Sequence, residues 1–276
     1  YNTQKSKKLF VKNNKEILGA ILLIISDKED SIIQPNELLY TPIIYSKNIF
    51  LKKPQGTINK ELHSIVYNIY NYLINNFKSI DITFDTYTSD IRPFVWHSFY
   101  NKNEKINIST LFTTKLRLDE DLDSNIEITK LFKNYTRSKR WEYRKALEKN
   151  LCVDENIDEG NFLRLFTDTF QRQNIDLKDT TINKDLFNLI ESLKKLGLIK
   201  YIVVKNSLEN IENFNIVSII GDSASILYSA RSKDCCTFSG SFLTTETFKA
   251  LKKIGIKYCD LEGINSPKRG FNKISY

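Results

Sequence analysis

Between residues 60 and 78 the apolar residues recur at intervals of three and four, which is the spacing of one face of an amphipathic helix. Lys and Asn occupy much of the opposite face. The apolar face consists of Leu62, Ile65, Val66, Ile69, Leu73, Ile74 and Phe77. We predict a helix here, with His63 just off its apolar face, where a histidine is usually structural or solvated.

Other stretches of the first half have the pattern of strands. The longest apolar run, ILGAILLIIS at 17–26, is shorter than the roughly 18–20 residues that cross a bilayer, and it predicts a buried strand. Residues 79–87 alternate polar and apolar side chains, and residues 105–118 have the composition of another strand. Between them Pro93 interrupts the aromatic-rich run SDIRPFVWHSFYN, which is either a buried strand or a wall of a binding site.

The second half of the chain repeats this order of helices and strands. Helices are predicted at 125–150, at 183–197 with Gly197 as C-cap, and at 242–255, ending at Gly255. Strands are predicted at 200–204, at 215–220 and 225–230, joined as a hairpin, and at 256–264. This pattern is typical of an α/β fold, and we expect two similar domains, residues 1–138 and 139–276.

Composition narrows the class of partner but not the fold. The chain has 276 residues, 41% hydrophobic and 27% charged, and is therefore expected to fold around a substantial core. Its net charge of +8 favours anionic partners such as phosphates, nucleotides, RNA or a membrane surface, although a generally basic surface is the alternative. Because no secretory leader pattern opens the sequence, we expect a cytoplasmic protein.

Several common catalytic motifs are missing from the sequence. It contains no Walker-type glycine loop, no GxGxxG, no GxSxG and no HExxH motif, which disfavours the usual nucleotide hydrolases, dehydrogenases, serine hydrolases and zinc proteases. The four cysteines form no CxxC pair and only two histidines accompany them, so we expect no metal site. Any chemistry must be carried by scattered polar residues.

Three clusters of such residues are candidates. The first is Asp90, Arg92, Trp96 and His97 in the run 89–101, and the second is Arg172 in TFQRQN. The third is the C-terminal stretch YCDLEGINSPKRGFNKISY, where a strand bearing Asp260 and Glu262 leads into a loop with Lys268, Arg269 and Lys273. Carboxylates beside cations at the edge of a sheet can bind phosphate and position an amine or carbonyl, or they can pair locally in a turn.

Taken in order, five segments of the chain resemble the succession of motifs in the FemABX-type branch of the GNAT acyltransferases. They are DIRPFVWHSFY, SKRWEYRKALEKN, FTDTFQRQN, SILYSARS and GIKYCDLEGINSPKRGFNKISY. The resemblance covers roughly residues 80–276, and the C-terminal motif is its most specific part. That branch includes peptidoglycan-bridge aminoacyltransferases and acyltransferases of polysaccharide and lipid-envelope pathways.

The resemblance implies two tandem GNAT-like domains with mixed, mostly antiparallel sheets flanked by helices. A cleft between the domains would hold the acyl acceptor, and a channel in the second domain would hold the donor, either aminoacyl-tRNA or an acyl thioester such as acetyl-CoA. The segment 229–241 lacks the glycine-containing turn that binds the CoA pyrophosphate in CoA-dependent GNAT enzymes. No helical hairpin insertion of the kind some members use on tRNA is evident either. The donor therefore stays open.

Acyl transfer to an amine requires a proton acceptor and a group that stabilises the tetrahedral oxyanion. Lys273 matches the lysine of the family's C-terminal motif, and we assign it to the oxyanion or to a phosphate. Asp90, Asp260 and Glu262 are the candidates for base or acceptor positioning, with His97 as a reserve base. Arg92 and Arg172 are expected to hold a phosphate or carboxylate, and Trp96 and Tyr228 to pack on a sugar or base.

Two alternatives accompany this hypothesis. One keeps the fold and makes the protein an acyl-CoA-dependent N-acyltransferase of an amino sugar or nucleotide-sugar. The other is a non-catalytic RNA- or glycan-binding protein that uses the basic run between Arg137 and Lys145, a segment that otherwise forms a solvated helix face. The oligomeric state is not predicted.

Overall fold

The protein divides into two compact units, Tyr1–Ser109 and Thr110–Tyr276. The structure is a computed structural model, and it describes residues 5–14, 16–34, 40–51, 53–85, 88, 90–100, 106–110, 113–118, 130–174 and 184–261. The domain boundary expected from the sequence, between residues 138 and 139, falls inside a helix of the second unit.

The first unit is a mixed sheet with a long helix against one face. Its elements are β1 (Lys5–Asn13), β2 (Glu16–Ile25), β3 (Ser31–Ile32), β4 (Ile43–Tyr45), a 3-10 helix (Lys47–Phe50), α1 (Gln55–Asn76), β5 (Ser79–Ile80) and α2 (Arg92–Tyr100). The strand order is β1-β2-β3-β5, and β4 pairs with β2 beyond the end of β3. Of the helices in the described part of the chain, none is long and apolar enough to cross a membrane.

The core of this unit lies between the inner face of β2 and the apolar face of α1. Ile21, Leu23 and Ile25 are buried there with most of the predicted helix face, whereas Leu22 between them is exposed. The predicted strand is therefore confirmed, but only one of its faces is buried. Helix and strand approach so closely that a Cβ built on Gly19 would lie 2.8 Å from Cγ2 of Ile65.

The second unit is a larger sheet with helices on both faces. Its elements are β6 (Lys115–Arg117), α3 (Lys130–Asn134), α4 (Arg137–Glu148), β7 (Cys152–Asp154), α5 (Glu159–Arg172), α6 (Lys184–Lys195), β8 (Ile199–Lys205), β9 (Ile211–Ile220), β10 (Ser223–Arg231), α7 (Ser239–Lys253) and β11 (Tyr258–Asp260). The strand order is β6-β11-β10-β9-β8-β7. All neighbouring pairs are antiparallel except β10 and β11, which are parallel.

Burial on both faces explains why β8 reads as a continuous apolar run. Tyr201 and Val203 pack with α5 and α6, while Ile202 and Val204 pack with α4 and α7. Side chains alternate between the two faces of a strand, so each face of this sheet needs its own apolar set. The result is a three-layer unit whose central strands are held on both sides.

Most of the aromatic-rich run 89–101 forms the helix α2, so the buried-strand alternative is wrong, while the alternative of a binding-site wall stays a prediction. Pro93 is the second residue of α2, where a proline removes no intrahelical hydrogen bond, so it favours the start of the helix. Phe94 and His97 are buried three residues apart, which is the helical period. The period of two that a strand requires is absent from this pattern.

Other predicted elements are shorter or divided. In the described part of 79–87 only Ser79–Ile80 form a strand, and in the described part of 105–118 only Lys115–Arg117 do. The described part of the predicted helix 125–150 is divided into α3 and α4. Thr136 is the N-cap of α4, because its side chain accepts a hydrogen bond from the backbone N–H of Lys139. The predicted hairpin and the helix ends at Gly197 and Gly255 are confirmed.

Candidate functional site

At the start of α2, the carboxylate of Asp90 receives several hydrogen bonds. Its Oδ1 accepts from the backbone N–H of Arg92 at 3.1 Å and from Nε of Arg92 at 2.8 Å, and its Oδ2 accepts from Nη2 at 2.5 Å. Nδ1 of His63, on α1, lies 2.9 Å from Oδ2. The structure therefore brings Asp90 and Arg92 together as expected, and adds His63, which the sequence pattern had indicated to be structural or solvated.

The surroundings of Asp90 hold its carboxylate in the charged form. The side-chain hydrogen bonds from Arg92 lower the pKa of Asp90 far below its usual range, against a smaller opposing effect of burial, and the backbone of Arg92 and the ring of His63 lower it further. A carboxylate of such low pKa accepts a proton poorly near neutral pH. Asp90 is therefore better suited to fixing the guanidinium of Arg92 than to acting as a base.

Aromatic rings flank this ion pair. The guanidinium of Arg92 lies 5.3 Å from the ring centre of Trp96, one turn further along α2, a cation–π arrangement. The ring of His63 lies 6.2 Å from that of Trp96. Arg92 and Trp96 are both exposed, so this corner of the first unit presents a cation beside a flat apolar surface.

His97 does not join this group in the way the sequence suggested. It lies on the buried side of α2, and its Nδ1 is 2.8 Å from the hydroxyl of Tyr70. The Tyr70 and His97 rings meet edge to face at 5.9 Å within the core of the unit. These contacts favour a structural role, so the assignment of His97 as a reserve base loses support.

In the second unit, candidate residues lie near the end of the described pairing between β10 and β11. The parallel pairing joins Ser223–Ser225 to Tyr258–Asp260, while β10 continues to Arg231. On its other side β10 carries a bulge, because Ile226 pairs with Val217 and Tyr228 with Ile216, which leaves Leu227 as an extra residue. Bulges redirect side chains and are frequent next to active sites.

Asp260 and Tyr228 lie on either side of this point. Asp260, the last residue of β11, is buried, and its Oδ1 accepts a hydrogen bond from the hydroxyl of Thr113. A buried carboxylate needs such partners, since its desolvation is costly. Tyr228 is half-buried and its ring meets that of Phe166 edge to face at 5.8 Å. The core around α5 thus positions Tyr228.

Arg172 ends α5 beside the end of β10. Its Nε donates to the backbone carbonyl of Asp168 at 3.3 Å, and its Nη2 lies 3.3 Å from Oγ1 of Thr169 and 3.5 Å from the carbonyl of Arg231. Burial, followed by repulsion from the guanidinium of Arg231, lowers the pKa of Arg172. Two neighbouring guanidinium groups favour an anion, and Arg231 is a residue that the sequence analysis missed.

A second missed group lies at the start of α7. The buried hydroxyl of Ser241 accepts from Nζ of Lys139 at 3.1 Å and donates to the carboxylate of Glu142. Lys139 and Glu142 also pair directly at 3.5 Å. The first turn of α7 is thus approached by a carboxylate of the protein itself. Lys139 belongs to the predicted basic run, but its spacing gave no sign of Ser241, which is 102 residues away.

The remaining predicted site residues, Glu262 and Lys273, lie outside the described residues, as do Lys268 and Arg269. Their assigned roles stay predictions. Within the described ranges, no group of three or more histidine, cysteine or acidic side chains is arranged to hold a metal ion.

Similarity in structure is much clearer than similarity in sequence. No protein-family model matches the chain, and no curated protein matches its sequence. A crystal structure of FemX superposes with a TM-score of 0.63 over 99% of this chain and 82% of the FemX chain, at 14% identity. The protein has the FemX fold. The α/β class expected from the sequence is therefore confirmed, with a mixed sheet and flanking helices in each of the two units.

A second structure supports the same fold. The C-terminal domain of a putative lysylphosphatidylglycerol synthetase from Agrobacterium fabrum superposes with a TM-score of 0.55, at 10% identity. The match covers 95% of this chain and 71% of that one. At these identities the likeness to both proteins concerns the fold, and the residues of the site must carry any argument about activity.

Proposed function

We propose that this protein is an acyltransferase that moves an aminoacyl group from an activated ester to an amine of a cell-envelope or surface-glycan precursor. The main support is the buried carboxylate of Asp260 at the end of the described pairing between β10 and β11, in a chain with the FemX fold. The motifs shared with FemABX-type transferases point the same way.

In the proposed reaction, the amine nitrogen attacks the ester carbonyl, the new C–N bond forms, and the bond to the leaving ribose oxygen breaks. The proton lost by the amine passes to Asp260 and from there to the leaving oxygen. Lys273 stabilises the negative charge on the tetrahedral intermediate, and Glu262 helps to position the acceptor. Holding both substrates in this geometry accounts for much of the rate.

Anionic groups of the substrates are assigned to the arginines. Arg172, with Arg231 beside it, would take a phosphate or carboxylate, and Tyr228 would pack on a sugar or base. In the first unit, Arg92 and Trp96 form a second exposed recognition surface. Asp90 is assigned to holding Arg92 in place, because its pKa is lowered too far for a base.

Aminoacyl-tRNA is favoured over acyl-CoA as the donor by the start of α7. In CoA-dependent GNAT enzymes the turn before this helix binds pyrophosphate. Here the first turn of α7 is occupied by an ion pair of the protein itself, because Ser241 donates a hydrogen bond to the carboxylate of Glu142 and accepts one from Lys139. The hydroxyl of Ser241 is therefore already used within the protein, and the segment 229–241 lacks the glycine-containing turn, so both features disfavour CoA.

A thermal-shift comparison of donors tests this proposal. A non-hydrolysable, amide-linked aminoacyl-tRNA present at 100 times its dissociation constant should stabilise the protein by about 2.7 kcal/mol, a shift of about 5–10 °C. Acetyl-CoA and free CoA should give no shift. A shift with CoA and none with the tRNA would contradict the donor assignment in favour of the CoA-dependent alternative.

Binding alone does not separate an enzyme from an RNA-binding protein, so a variant is needed. Asp260→Asn should bind the tRNA analogue as the unmodified protein does, yet transfer far more slowly. Asp222→Asn is a matched control in the same unit, because the side chain of Asp222 is exposed and its ion pair with Lys257, at 3.4 Å, is a surface pair. Equal transfer by the two variants would remove Asp260 from the mechanism.

A further inference from the structure

One face of the sheet in the first unit is turned away from α1. Residues directly opposite each other on paired strands share a face, and the register gives Phe10 opposite Ala20 and Ala20 opposite Ile44. On neighbouring rungs Lys8 lies opposite Leu22 and Lys12 opposite Ile17. We call the set Lys8, Phe10, Lys12, Ile17, Leu22 and Ile44 the outer face.

Large apolar side chains of the outer face are in contact with solvent. Phe10 is 47% exposed, Ile17 45%, Leu22 45% and Ile44 66%. The residues on the other side of the same strands, Ile21 and Ile43, are 2% and 3% exposed. Exposed apolar side chains on three neighbouring strands indicate an interaction surface, whereas single exposed apolar residues are common and need no explanation.

The charge of the outer face has one sign. Lys8 and Lys12 flank Phe10 along β1, and the described positions of β1, β2 and β4 on this face carry no acidic residue. Lysines on an edge strand also prevent sheet-to-sheet aggregation. That role explains Lys8 and Lys12 but leaves Leu22 and Ile44, on β2 and β4, without a reason to be exposed.

We propose that the outer face docks on a bilayer surface containing anionic lipids. Phe10, Leu22 and Ile44 would enter the boundary between headgroups and acyl chains, and the two lysines would extend to the phosphates. A protein partner fits less well, because lysine is depleted from protein interfaces. RNA fits less well because its recognition relies on aromatic stacking and phosphate contacts, which aliphatic side chains do not provide.

Vesicle sedimentation with the full chain tests this proposal. We expect binding to phosphatidylcholine vesicles that contain phosphatidylglycerol, weaker binding to phosphatidylcholine alone, and a decrease as salt rises. Each lysine contributes about fivefold, so Lys8→Gln with Lys12→Gln should reduce partitioning about twenty-five-fold. Phe10→Ser with Ile44→Ser should also abolish most of the binding. The weak binding that remains should be to the anionic vesicles and should decrease as salt rises.

Matched control variants distinguish binding through the outer face from a general effect of net charge or of exposed apolar side chains. Lys195→Gln with Lys253→Gln removes the same charge from exposed helix ends of the second unit, and Leu208→Ser with Ile220→Ser removes side chains that are 77% and 76% exposed. Both controls should partition as the unmodified protein does. Thermal unfolding confirms that all four variants are folded.

Three results would overturn the proposal. One is an absence of sedimentation with either type of vesicle, and another is an equal loss in the outer-face and control variants. The third is that the outer-face variants keep vesicle binding but lose self-association or tRNA binding, which would assign the face to a second copy or to RNA. None of these depends on the catalytic assignment, so the two proposals fail separately.

Discussion

Replacing Asp90 by asparagine removes one negative charge from the ion pair at the start of α2 while keeping the shape of the side chain. The carboxylate accepts hydrogen bonds from the backbone and side chain of Arg92, and its own side chain is 14% exposed. Hydrogen bonds to a charged group contribute about 1.5–3 kcal/mol and neutral ones about 0.5–1.5 kcal/mol. Because Arg92 is 56% exposed, solvent screens part of the difference.

We therefore expect Asp90→Asn to lower the free energy of unfolding by about 1–2 kcal/mol near neutral pH, or the melting temperature by about 2–8 °C. Urea unfolding followed by circular dichroism measures the difference. Asp234→Asn is the control, since this exposed carboxylate has no cationic partner within the described ranges. The control should change stability by less than about 0.5 kcal/mol.

The effect of Asp90 has a defined pH dependence. Its folded pKa is lowered, so its contribution is fully present above the unfolded value of about 3.9 and is lost as the pH falls through the folded pKa. The measurement is best made in a His63→Gln background, where Arg92 is the remaining charged partner. In that background, the difference in stability between the proteins with and without the Asp90→Asn substitution should narrow below about pH 4. A difference that widens in acid, or one no larger than the control, would refute this reasoning.

Three further predictions address the core and the site. Phe214→Ala, which removes a fully buried ring between Phe162 and Phe166, should cost about 3–5 kcal/mol in urea unfolding, and a loss below about 1 kcal/mol would contradict the packing. Gly19→Ala should cost about 1–3 kcal/mol in the same assay because the new Cβ meets Ile65 at 2.8 Å, and unchanged stability would contradict that close approach. Asp260→Asn should lower the transfer rate about 10²–10⁴-fold in a single-turnover assay with little change in donor affinity, and an unchanged rate would exclude it as proton acceptor.

Much of the second unit was predictable because its signals are local. Apolar runs bounded by turns gave β8, β9 and β10, and the glycines at 197 and 255 gave two helix ends. The first unit was harder to predict. Its short strands β3, β4 and β5 have two or three residues, too few for a recognisable period.

Most of the contacts in the candidate site that could not be predicted join residues that are far apart in the sequence. The interaction of His63 with Asp90 spans 27 residues and that of Lys139 with Ser241 spans 102, and no spacing rule connects such positions. Within α2 the difficulty was different. The aromatic residues have high strand propensity, and Pro93 suggested an interruption, yet the proline lies where it favours a helix start.

The most direct test of the central claim is the transfer of a labelled amino acid from aminoacyl-tRNA to UDP-linked and lipid-linked envelope precursors, followed by treatment of the product with mild alkali. We predict that label appears in a precursor and resists alkali, because an amine acceptor gives an amide. Label that alkali releases would mean an ester product and a hydroxyl acceptor. No incorporation from aminoacyl-tRNA or from acetyl-CoA would contradict the assignment as an acyltransferase.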